Sequence, residues 1–196
     1  MACSLETVVP ATEPAPVPAY CELHCLSNFS FGRGASHPQE LVARAAALGY
    51  AALALTDECS VAGMVRAHTE AKKLGLKLLP GAEFAVTQVE GADGAAPAAG
   101  FRLVALPHDL HAWGDLCEFI TQARRAAPKG QYRLVWQDAP WALLAGCEIL
   151  LALPYALHFE ATHAITTRAR ALFGINLWLL VESLLTPDDA LQSHRL

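Results

Sequence analysis

The sequence predicts an α/β fold built on a parallel sheet, open or closed into a barrel. Three observations lead there. Short apolar runs alternate with segments of helical periodicity. Two of those runs, "AALAL" and "LWLLV", are apolar throughout, as parallel strands buried on both faces are. Six such candidate strands recur between Tyr20 and Ser183. With 196 residues, 54% of them apolar, the chain can bury a substantial core as one domain.

The first strand is "YCELHCL", starting at Tyr20. A helix follows in "SHPQELVARAAALG", where Leu41, Val42, Ala45 and Leu48 recur at helical spacing, Ser36 with Gln39 offers a capping box and Gly49 a C-cap. The unit repeats with "YAALALT" and then the helical "VAGMVRAHTEAKKLG" ending at Gly75. The third strand is "LKLLPGAEFAV", followed by a Gly/Ala-rich loop between Glu90 and Gly100. "FRLVALP" and an amphipathic helix around "LHAWGDLCEFITQARRAA" form the next pair, and "CEILLALP", "EATHAITTRARALFG" and "NLWLLVES" complete the series. "TPDDALQSHRL" reads as another helix start, with Thr186 as N-cap and Pro187 at its first position.

Composition narrows the function classes. A formal net charge of -5 gives no overall positive field to draw the chain onto nucleic acid, so any such contact must be local. Cys3, Cys21, Cys25, Cys59, Cys117 and Cys147 lie scattered with no C-x-x-C pair, which reads as reduced, mostly buried thiols of a cytoplasmic protein. Residues 1–18 lack the basic and apolar regions of a signal peptide and read as a disordered Pro/Ala tail ahead of a domain over 19–196. No apolar run reaches the roughly 18 residues of a membrane span.

In parallel α/β folds, function gathers at the carboxyl ends of the strands. His24 ends the first candidate strand, Thr56, Asp57 and Glu58 the second, and Glu83 follows the Pro80–Gly81 turn of the third. One imidazole and three carboxylates from successive units would meet on one rim.

At these residues the sequence resembles a known family. "ELHCLSNFSFGRGASHPQELVARAAALGYAALALTDECSVAGMVRAH", "LKLLPGAEF" and "DLCEFITQARRAAPKG" are similar to the N-terminal PHP (polymerase and histidinol phosphatase) domain of bacterial error-prone DNA polymerases, C-family relatives of the polymerase III alpha subunit. The resemblance implies a distorted (β/α) barrel, here incomplete because the chain stops before the last strand. It also implies where a metal cluster would sit. His24 matches the first histidine of the family's H-x-H, but the second falls on Leu26. An aspartate ligand falls on Arg33, the histidine after Asp57 on Glu58, and a fourth-strand histidine on or near Arg102. Glu83 matches a glutamate ligand, and a further histidine is replaced by Leu184.

Leucine has no lone pair, and an arginine places fixed positive charge where a cation would sit. The expectation is a degenerate site of His24, Arg33, Asp57, Glu58, Glu83 and Arg102 without metal, catalytic residues or cofactor. In it, the guanidinium groups stand between acids that would otherwise repel. The magnesium that template-directed polymerisation needs is expected only in a downstream palm domain.

Simpler readings stand beside these. His24 alone reads as a hydrogen-bonded core histidine, and Asp57 and Glu58 as caps of the next helix. "GRG" at Gly32 to Gly34 reads as a plain turn. His37, His108, His111, His158, His163 and His194 share no ligand spacing and read as surface or loop residues. Arg124, Arg125, Lys129 and Arg133 form a basic cluster that serves the helix dipole, or else contacts phosphate or a neighbouring domain. The leading functional expectation is a non-catalytic PHP module of an error-prone translesion polymerase, acting in DNA repair and replication. Its partners would be the downstream polymerase domains, with DNA reached through the full-length enzyme and no membrane involved. The alternatives are a metal-dependent phosphoesterase or nuclease, and an interaction module.

Overall fold

A computed structural model describes residues 19–87, 100–154, 157 and 159–182. The tail, most of the Gly/Ala-rich loop, Leu184, His158, His194, Cys3 and the helix start at Thr186 lie outside the described residues.

The first half of the chain follows the expected alternation. Strands β1 (Cys21–Cys25), β2 (Ala52–Leu55) and β3 (Lys77–Pro80) form a parallel sheet in that order. Helices α1 (Pro38–Ala47) and α2 (Met64–Leu74) connect them and bury Val42, Ala45, Ala67 and Ala71 against Leu53 and Leu55. The capping box lies one residue later than the sequence reading placed it. His37 is the N-cap, Pro38 opens the helix, and the Glu40 carboxylate accepts from the His37 N–H at 2.8 Å. Proline fixes the choice, since its ring suits the first helical position and Ser36 as cap would put it second. Both helices end at glycines in the left-handed region, Gly49 (φ 72°) and Gly75 (φ 69°).

The second half departs from the prediction of a parallel sheet. The run "LKLLPGAEFAV" divides at Gly81 into β3 and β4 (Ala82–Val86), which belong to different sheets. A Cβ at Gly81 would stand 2.6 Å from Leu106 Cδ2 and 2.8 Å from the Ala105 carbonyl, so the crossing needs glycine. β4 pairs antiparallel with β5 (Phe101–Pro107), β5 antiparallel with β6 (Cys147–Ala152), and β6 parallel with β7 (Leu177–Leu179). The β5–β6 reversal has a visible cause. Helix α3 (Leu110–Arg125) carries the chain back along the sheet, and residues 126–146 then return it, so that Cys147 starts opposite Pro107. Two traverses replace the single return of a parallel crossover. Helix α4 (Phe159–Phe173) then links β6 to β7.

The main core lies between this mixed sheet and α3 and α4, where Phe84, Phe101, Phe119, Trp136 and Trp141 pack as a run of edge-on and tilted rings. Alternation along the strands decides what faces the other way. On β4, Ala82, Phe84 and Val86 point to this core, which leaves Glu83 on the inner face. On β5, Phe101, Leu103 and Ala105 do the same, which leaves Arg102 and Val104 inside. A small inner cluster of Ala54, Val104, Leu106 and Leu150 fills the space between the sheets, with Leu79 and Leu180 against it. One parallel bridge, Glu58 to Glu83, joins the sheets at the carboxyl end of β2. Among the described residues β1 and β7 each pair on one side only, so the α/β barrel is not closed. No described helix is long and apolar enough to cross a membrane.

Candidate functional site

The strand ends converge on Glu83, whose side chain has no exposed surface. His24 at the end of β1 places Nε2 2.6 Å from Glu83 Oε2. The β1–α1 loop supplies Arg33, which reaches Glu83 through both terminal nitrogens, with Nη2 3.1 Å from Oε2. From β5, Arg102 donates to the Glu83 Oε1 that Arg33 also contacts. The β4–β5 register sets this up: Ala85 lies opposite Arg102 and Glu83 opposite Val104, making Arg102 and Glu83 diagonal neighbours on one face.

The network continues on both sides. Arg33 Nη1 donates to Glu58 Oε2 at 2.7 Å, and the Tyr132 hydroxyl donates to Glu58 Oε1 at 2.8 Å while accepting from the Ala85 N–H at 2.7 Å. His24 Nδ1 lies 2.6 Å from Glu182, just beyond β7, so the imidazole links β1 to both β4 and the far edge of the sheet.

Burial alone would push the Glu83 carboxyl up. The hydrogen bonds from His24 and Arg33 and the charges of Arg102 and Arg33 outweigh it, bringing the pKa down to about 2. Burial alone would likewise favour neutral imidazole, but Glu182 and Glu83 overcome it and raise His24 to about 9. Below that pH the cations His24, Arg33 and Arg102 face the anions Glu58, Glu83 and Glu182, one for one.

Asp57 stands apart from the guanidinium groups, which corrects the expectation that arginine would separate it from the other acids. Its carboxylate accepts from the Ser27 N–H at 2.7 Å, the Ser27 hydroxyl at 2.6 Å and the Ser30 hydroxyl at 2.7 Å. Three neutral donors satisfy the buried charge and pin the β1–α1 loop. Neither Asp57 nor Glu58 caps α2, whose N-cap is Gly63. The "GRG" stretch is a turn, in which the Arg33 and Gly34 N–H groups donate to the Ser30 carbonyl.

The basic cluster divides. Arg124 Nε donates to the carbonyl of Cys59 at 3.0 Å, and Cys59 has the left-handed φ of 47°. Arg125, Lys129 and Arg133 are exposed. Among the histidines, His37 serves α1, and His108 contacts Glu148 at 2.9 Å at the opposite end of the inner face.

Sequence reasoning missed four members: Ser27, Ser30, Tyr132 and Glu182. Glu182 ends an apolar run as Asp57 does, so the strand-end rule had the means to find it. Tyr132 lies in an irregular segment where no periodicity marks it.

These residues do not fit a metal ion. Both Glu83 oxygens accept from cationic side chains, and a protonated His24 has no free lone pair. Leu26 contributes no donor. Among the described residues no group of three or more His, Cys, Asp or Glu side chains is arranged to hold a cation.

An unclosed α/β barrel with ionisable side chains gathered at its strand ends places the chain in the architecture of a solved amidohydrolase from Chromobacterium violaceum, with bound sulfate and no metal. The TM-score is 0.60 at 19% identity, over 89% of this chain and 81% of that one, a likeness of fold. The PHP domain profile matches residues 22–174, and the chain belongs to that family. It is 47% identical over 192 residues to the error-prone DNA polymerase of Methylococcus capsulatus, covering 98% of this chain and 16% of that protein. Against the error-prone DNA polymerase of Ralstonia nicotianae it is 55% identical over 150 residues, covering 76% of this chain and 13% of that protein. The chain therefore spans about a sixth or less of the length of these relatives.

Proposed function

We propose that the chain is the N-terminal PHP module of an error-prone translesion DNA polymerase, a cytoplasmic nucleotidyltransferase, and that the module itself catalyses nothing. The observation that carries this reading is the shared contact of Arg33 and Arg102 with one oxygen of buried Glu83. A guanidinium keeps its charge at every accessible pH, so a divalent ion would have to displace two fixed cations to reach that carboxylate. The cluster ties β1, β2, β4, β5 and the end of β7 together, and in this reading it is the frame on which downstream polymerase domains rest. DNA is reached through the full-length enzyme, with magnesium held by those domains.

Metal analysis of the protein expressed with added zinc and manganese tests the proposal, together with hydrolysis of a phosphodiester before and after chelation. Less than one ion per chain and no chelator-sensitive turnover are expected. Two or more tightly held ions, with turnover that chelation removes, would establish a metal-dependent phosphoesterase instead.

A further inference from the structure

The end of α3 and the loop behind it concentrate positive charge in a chain whose formal net charge is -5. Arg125 closes the helix, Lys129 lies in the turn in which Gln131 N–H donates to the Pro128 carbonyl, and Gly130 takes φ 90° to complete that turn. The Arg133 N–H then donates to the Ala123 carbonyl at 3.0 Å, folding the loop back on the last helical turn. The three residues thus lie at one end of one helix. Arg124 is excluded from the set because its Nε is committed to Cys59.

Arg33 and Arg102 pair with Glu83 and Lys73 with Glu70, while Lys72 and Lys77 near the end of α2 are exposed like the α3 group. Among the described residues Arg125, Lys129 and Arg133 form no ion pair. A cleft of about 250 Å³ lies against Arg133, bordered also by Gln122, Ala126, Val135 and Asp138. Asp138 is the one acid in its lining. The helix dipole interacts favourably with cations in its last turn but fades beyond it, so it accounts for Arg125 and leaves Lys129 and Arg133 without an anion.

We infer that Arg125, Lys129 and Arg133 bind the phosphodiester backbone of a nucleic-acid strand. Exposed cations at one helix end, without ion-pair partners among the described residues, offer positive charge to a phosphate backbone, and the net negative charge of the chain favours contact at this face. The choice of nucleic acid over other polyanions rests on the proposed polymerase membership.

The test is a titration of the 196-residue chain with an oligothymidylate and with a short DNA duplex in the presence of chelator, following backbone amide shifts. Shifts centred between Gln122 and Leu134 are expected with one or both ligands, and comparison of the two identifies the preferred form. With three phosphate contacts, the log of affinity should fall against log salt with a slope of about -2 for the single strand. The charge reversal R125E/K129E/R133E should lower affinity at least about tenfold. Reversal of Lys72, Lys73 and Lys77 around the end of α2 should leave it within about twofold. If the reversal variant does not fold, R125Q/K129Q/R133Q serves in its place. No shifts in this segment, equal loss from the α2 reversal, or equal affinity for dextran sulfate would overturn the inference. Because chelator is present, the outcome is separate from that of the metal test.

Discussion

Glu83 has no exposed surface yet accepts from three cationic side chains, so the cost of removing its charge falls on all of them. Glu83→Gln leaves His24, Arg33 and Arg102 crowded around an amide that cannot neutralise them. A loss of about 3 kcal/mol is expected, measured by urea denaturation, as for other buried pairs broken from one side. The pH dependence has a definite sign. Folded His24 keeps its proton to about 9 against an ordinary 6.5, so its contribution is complete below pH 6.5 and is lost as pH rises through 9. Glu83, at about 2 against an ordinary 4.5, contributes fully above pH 4.5 and loses its contribution as pH falls toward 2. His24→Gln should therefore flatten the alkaline limb of the melting-temperature profile and start the acid limb at higher pH, because Glu83 loses one of the donors that hold its pKa down. An unchanged alkaline limb would show that another group is responsible. Arg33, Arg102, Glu58, Glu83 and His24 were legible in the sequence because each falls at or just past a strand end or on a motif position. Tyr132 and Ser30 were not, since their roles depend on how irregular segments return to the rim, and spacing does not encode that return.

Elements depend on the cluster through their loops. The loop that presents Arg33 folds back so closely on its own first residues that a Cβ on Gly34 would stand 1.9 Å from the Ser27 carbonyl oxygen. Backbone cannot yield as a side-chain tip can. Gly34→Ala should destabilise the fold by about 2 kcal/mol or more and shift the resonances of Ser27 and Arg33. Gly114 gives the opposite expectation. It lies inside α3, and a Cβ there meets nothing within 4 Å, so Gly114→Ala should stabilise by about 0.7 kcal/mol, read from the same denaturation curves. The helices were legible from periodicity and from their glycine ends, and the parallel half of the fold from its unbroken apolar runs. The antiparallel pairing of β4, β5 and β6 was not legible. The direction of β6 is set by where residues 126–146 carry the chain after α3, and neither the strand composition nor the length of α3 records it.

At the scale of the molecule, the cluster and the sheet edges act on the same weak point. β7 is hydrogen-bonded to β6 on one side, while Ile175, Trp178, Leu179 and Val181 are 84%, 58%, 44% and 51% exposed around it. Across the opening, Leu23 on β1 is 37% exposed, and the contact of His24 with Glu182 links the two edges at the rim. An edge with free backbone groups and adjacent apolar side chains is a template for pairing with another chain. The isolated chain should therefore associate reversibly as its concentration rises, which sedimentation velocity would detect as an increasing mean sedimentation coefficient. Leu179→Lys puts a charge on that edge and should return the protein to monomer without lowering its melting temperature by more than about 2 °C, since the residue is already half exposed. His24→Gln should act in the other direction, because it weakens a contact that ties the end of β7 to β1. A chain that stays monomeric across the concentration range, in both the parent and the His24→Gln variant, would mean that the rim link does not govern the edge.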